Sequence, residues 1–99
     1  MPPFLIRFAT VVSIFPGASP ERVEMLVTDK IEKVIQEIPE VYYIESESRT
    51  GVSIVTVALK ENITELRPIF DNLRRKVESI QHQLPEGVVV DINDELGDV

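Results

Sequence analysis

The sequence predicts an α+β domain in which a four-stranded antiparallel sheet carries two helices on one face, in the order βαββαβ. Three observations predict it. Two stretches space their apolar residues at helical intervals, and four others are rich in Val, Ile, Thr and aromatic residues. Pro or Gly punctuates most of the boundaries between them.

Phe4 to Phe15 reads as the first strand, ended by Pro16-Gly17. Ser19 then supplies an N-cap, Pro20 takes the first helical position, and Glu21 lies near the positive end of the helix dipole. At ~100° per residue, Val23, Val27, Ile31, Val34, Ile35 and Ile38 fall on one stripe, and Pro39 stops the helix. Val41 to Ser48 and Val52 to Lys60 form a hairpin about a turn at Arg49-Thr50-Gly51. Asn62 or Thr64 caps the second helix, with Pro68 tolerated in its first turn. Leu66, Ile69, Phe70, Leu73, Val77, Ile80 and Leu84 make its buried stripe; Pro85-Glu86-Gly87 ends it, and Val88 to Ile92 is the last strand. Right-handed βαβ crossovers put both helices on the same side. This is the ferredoxin-like split βαβ arrangement, with residues 1–99 as a single domain and no linker inside it.

The 99 residues suffice for one two-layer core, and a net charge of −7 disfavours nucleic acid and anionic membrane surfaces as partners. The acidity is concentrated in Glu86, Asp91, Asp94, Glu95 and Asp98, with no Lys or Arg after residue 85. Without cysteine there is neither a disulfide nor a thiolate metal site. The apolar run "FLIRFATVVSIF" is too short to span a bilayer and contains Arg7.

Few segments carry chemistry. "FPGASPERVE" has the glycine turn and helix start of an anion cradle, but Pro16 and Pro20 remove two N–H donors and no P-loop lysine follows. It reads as a capped joint. "DINDELGDV" fails as a calcium loop because Leu96 occupies the position that requires glycine, so its carboxylates read as a solvated strand exit. His82 is the single histidine and has no nucleophile or carboxylate fixed beside it by spacing. No catalytic residue, cofactor or metal is expected. Arg74-Arg75-Lys76 reads as a solvated helix face, and Glu45 and Glu47 as the wet side of a strand. Asn62-Ile63-Thr64 matches the glycosylation sequon, a frequent chance match.

One pattern stands apart. Asp71, Arg75, Glu78 and His82 recur at spacings of four, three and four on the second helix, a narrow polar stripe opposite the apolar one. Solvent is the default reading of such a stripe. The sharper one is a polar face lining a symmetry axis or channel.

Four segments also resemble, in order, the periplasmic porter region of resistance-nodulation-division efflux pumps of the acriflavine-resistance type. "TVVSIFPGASPERVE" is similar to the first strand and Pro-Gly-Ala turn, "YYIESESRTGVSIVTVALK" to the hairpin, and "LRRKVESIQHQLPEGV" to the second helix and its exit. "DINDELGDV" is similar to the stretch that follows, with Leu96 where an aromatic is common. The resemblance covers Ile6 to Val99 and implies the first porter subdomain of a proton-driven multidrug pump. It implies a homotrimer in the bacterial inner membrane, this segment in the periplasm, drugs or amphiphiles as cargo, and a periplasmic adaptor and outer-membrane channel as partners. In that family the second helix packs about the central threefold axis, which would put Asp71, Arg75, Glu78 and His82 on the pore side. Met1-Pro2-Pro3 stands where the family joins its first membrane helix, as expected of an excised fragment, itself monomeric. Two other readings compete. A freestanding small-molecule-binding regulatory module shares the fold, and an acylphosphatase-like hydrolase would need an anion loop where the two prolines stand.

Overall fold

The computed structural model describes residues 7–61 and 63–94. Its elements are β1 (Phe8–Ile14), α1 (Pro20–Val23), a π turn (Glu24–Thr28), α2 (Asp29–Ile35), β2 (Val41–Arg49), β3 (Val52–Leu59), α3 (Arg67–Ser79), a 3-10 turn (Gln81–Gln83) and β4 (Val89–Asp94). α1, the π turn and α2 run on without a break and form the first helix of the expected order. All strand pairs are antiparallel and the sheet order is β2-β3-β1-β4. The predicted ferredoxin-like α+β fold is the observed one.

Alternation along the central strands sets the two faces of the sheet. Ala9, Val11 and Ser13 of β1 face the helices, with Ser53, Val55, Val57 and Leu59 of β3 beside them, and all are buried. Val27, Ile31, Val34 and Ile35 from the first helix and Ile69, Phe70, Leu73 and Val77 from α3 close over them as one core. Phe70 is its largest fully buried side chain.

The strand-to-helix joint forms as its residues dictate. Pro16 and Gly17 occupy the middle of a turn in which the Ala18 N–H donates to the Phe15 carbonyl at 3.2 Å, with Gly17 at φ 80°. The Ser19 hydroxyl accepts from the Arg22 N–H at 3.2 Å, so the predicted N-cap is in place. Gly51, at φ 74°, fastens the hairpin tip to this joint: its N–H donates to the Ala18 carbonyl at 2.9 Å, and its carbonyl accepts from the Phe15 N–H at 2.8 Å. A Cβ there would lie 3.5 Å from the Phe15 oxygen, in a conformation that only glycine adopts freely.

Several boundaries differ from expectation. The first helix is not regular: the Asp29 N–H donates to the Glu24 carbonyl, five residues back. α3 starts at Arg67 with Leu66 in the cap position and no side-chain cap, so Thr64 does not cap it, and Asn62 lies outside the described residues. Nor does α3 run on to Leu84. The Ser79 hydroxyl donates to the Lys76 carbonyl at 2.6 Å, and Ile80 leaves the helical region at φ −107°, ψ 8°. Ile80 and Leu84 still cover the core, so the apolar spacing outlasts the helix. β4 continues two residues past Ile92. β1 begins at Phe8, and the predicted strand residues Phe4 to Ile6 and the tail from Glu95 lie outside the described residues.

Candidate functional site

α3 presents its polar residues according to helical geometry. Ile69, Phe70, Leu73 and Val77 are buried, whereas Asp71, Arg75 and Glu78 are exposed on the opposite side. At ~100° per residue the consecutive Arg74, Arg75 and Lys76 fan out over about 200°, so their roles separate. Arg74 Nη2 reaches Asp94 Oδ2 of β4 at 2.5 Å. Lys76 Nζ reaches Glu37 Oε1, just beyond α2, at 2.8 Å. Arg75, between them, is exposed and makes no ion pair among the described residues. The triplet is therefore not a uniformly solvated face: its outer members clamp α3 to β4 and to the first helix, and the middle one points away from the protein.

The solvated strand exit needs a further correction. The Asp94 side chain is only 2% exposed, while that of its partner Arg74 is 41% exposed. Asp94 pairs with Ala9 across β1–β4, which places it on the helix-facing side with Val90 and Ile92. Parity along β4 could have shown this from the sequence, because Val90, Ile92 and Asp94 are two residues apart.

His82 is exposed but lies on the 3-10 turn, beyond the end of α3. Asp71, Arg75 and Glu78 thus share one helical face, and His82 sits outside its regular spacing. Glu45 and Glu47 are exposed, as expected of a wet strand face, with Glu47 paired to Arg49 at 2.6 Å. Ser46, between them, bonds the Glu32 carboxylate of α2. Sequence reasoning missed a buried hydroxyl cluster altogether. Thr28 Oγ1 donates to Ser53 Oγ at 2.7 Å and lies 2.9 Å from Ser48 Oγ, while the Ser13 hydroxyl is buried with no partner among the described residues. The available signal was serine at inward positions of β1 and β3.

Among the described residues no group of three or more His, Asp or Glu is placed to hold a metal ion, and no helix is long and apolar enough to cross a membrane. The grooves at the surface are open. One, lined by Lys30, Lys33, Val34, Glu37, Ile80 and Gln83, runs between α2 and the exit of α3. Such a surface offers faces for packing and charged groups for pairing.

A model of the AcrB/AcrD/AcrF family matches residues 2–95, nearly the whole chain. The chain belongs to the AcrB/AcrD/AcrF family. This is a family of resistance-nodulation-division transporters, in keeping with the resemblance of the four segments. An uncharacterized transporter of Haemophilus influenzae is 30% identical over 79 residues, which cover 80% of this chain and 8% of that protein. The crystal structure of a heavy metal efflux pump shares the fold, with a TM-score of 0.76 at 24% identity over 87% of this chain and 9% of that one. The chain thus spans about a tenth or less of the length of these two proteins.

Proposed function

We propose that the chain is the first porter subdomain of a proton-driven multidrug efflux pump of the acriflavine-resistance type, a non-catalytic piece of a homotrimer. The segment lies on the periplasmic side of the bacterial inner membrane, and the assembled pump hands drugs or amphiphiles to an adaptor and an outer-membrane channel. The match to the AcrB/AcrD/AcrF family over residues 2–95 carries this reading.

Within the trimer, α3 packs about the central axis with Asp71, Arg75 and Glu78 turned toward it and His82 at the end of the same face. The clamps on either side support this placement. Arg74 and Lys76 are engaged within the subdomain, so Arg75 is left pointing outward between Asp71 and Glu78, four residues before it and three after. Around a threefold axis, such a face sets an arginine of one protomer against carboxylates of the next.

The test is charge reversal in the full-length pump that contains this segment. Arg75→Glu is expected to weaken trimers on native gels and to raise drug susceptibility, and Glu78→Arg in the same chain to restore part of both. Full assembly and efflux by Arg75→Glu would return the face to plain solvation. The subdomain assignment is checked separately by the reading frame upstream of Met1, which should encode an apolar run of ~20 residues.

A further inference from the structure

The π turn in the first helix and the hydroxyls beneath it belong together. A π turn takes up one residue more than an α turn, and here it separates two anchored segments. Upstream, Pro20–Val23 is held by the Ser19 cap and, through Ala18, by Gly51. Downstream, Ile31, Val34 and Ile35 are locked into the core.

Burial of apolar residues does not choose between the two helix types. In an unbroken α-helix, Val23, Val27, Ile31, Val34, Ile35 and Ile38 span an arc of about 120°. With one extra residue taken up before Val27, the same six span about 100°. Either register keeps the stripe on the sheet. Polar contacts distinguish them.

Those contacts are made by a row of three serines. Ser48, Ser53 and Ser13 are neighbours across β2, β3 and β1 in the strand registers, and Ser13 and Ser53 are completely buried on the helix side of the sheet. Thr28, the last residue of the π turn, sits between the first two, hydrogen-bonded to both. One strand over, Ser53 and Ser13 offer a second slot of the same chemistry, and the Ser13 hydroxyl there is unpartnered among the described residues.

We propose that the first helix is a two-position latch. In one position the π turn is closed and Thr28 lies between Ser48 and Ser53; in the other the turn relaxes to α-helix and Thr28 lies between Ser53 and Ser13. Each position gives the threonine hydroxyl two serine partners and leaves one serine over. The step changes the register of α1 against α2 by one residue. The latch is independent of any role in a pump and can be tested on the 99-residue chain itself.

The experiment is relaxation-dispersion NMR on the backbone amides of Ser13, Thr28 and Ser53. The wild type should show exchange on the microsecond-to-millisecond scale. Ser13→Ala, which removes the second slot, should abolish it. Ser48→Ala, which weakens the first, should raise the minor population several-fold. Thr28→Val should flatten all three profiles, and Thr28→Ser should restore them. Flat profiles in the wild type, or unchanged ones in Ser13→Ala, overturn the latch. A deletion checks the spare residue without relying on exchange. Removing the exposed Met25 from the π turn should leave a folded chain, whereas removing the exposed Lys33 from α2 should not. Equal loss of folding by both deletions would overturn the claim that the turn holds one residue in excess.

Discussion

The two helical layers cover the same sheet by different means. α3 has a clean division between a buried apolar face and an exposed polar one, and two ion pairs hold its flanks to β4 and to the first helix. The first helix is tied mainly to strands: Thr28 holds it from beneath on the serines of β2 and β3, and Glu32 bonds Ser46 of β2 at its exposed side. Flank clamps fix a helix about its axis and free its outer face for another surface. A polar tie in the core fixes the helix where it meets the sheet. The contrast separates a face suited to packing against neighbours from a segment seated on the sheet.

The comparison can be broken at graded strength. Phe70→Ala should destabilise most, by about 3–5 kcal/mol in chemical denaturation, because the ring fills the core where α3 meets the sheet. Next comes Arg74→Ala, which takes the guanidinium partner from the nearly buried Asp94 carboxylate and should cost about 1–3 kcal/mol. A thermodynamic cycle with Asp94→Asn should show coupling between the two side chains, the Arg74→Ala loss shrinking once the carboxylate charge is gone. Lys76→Ala removes an exposed pair and should cost under ~1 kcal/mol, with the difference fading at high salt. Arg75→Ala should leave the stability of the isolated chain within ~0.5 kcal/mol of wild type, whatever it does to assembly. If Arg75→Ala destabilised the chain as much as Arg74→Ala, the division between clamping and outward-facing residues on α3 would fail.

The fold was legible because each boundary had its own physical mark. Pro16-Gly17 makes the turn and Ser19 the cap, Gly51 takes the one left-handed position at the hairpin tip, and alternating burial along β1, and along β3 as far as Val57, assigns their faces. The end of α3 was hidden for the opposite reason. Ile80 and Leu84 keep helical spacing and remain in the core, but from the two residues that flank a 3-10 turn, so periodicity ran past the last α-helical hydrogen bonds. The π turn left no trace in the pattern, since both registers satisfy the same apolar stripe. In the candidate site, Asp71, Arg75 and Glu78 were readable as one face because α3 is regular there. The Arg74–Asp94 pair required knowing which edge of the sheet β4 occupies, a long-range fact that helical spacing alone does not carry.

Asp94 also gives the fold a mechanical property. It is the last residue of an edge strand, and its carboxylate grips Arg74, the residue before Arg75. Tension along the backbone at that end of β4 is therefore delivered sideways to the middle of α3 as well as along the strand. The pair works as a short lever linking the edge of the sheet to the helix face that points outward.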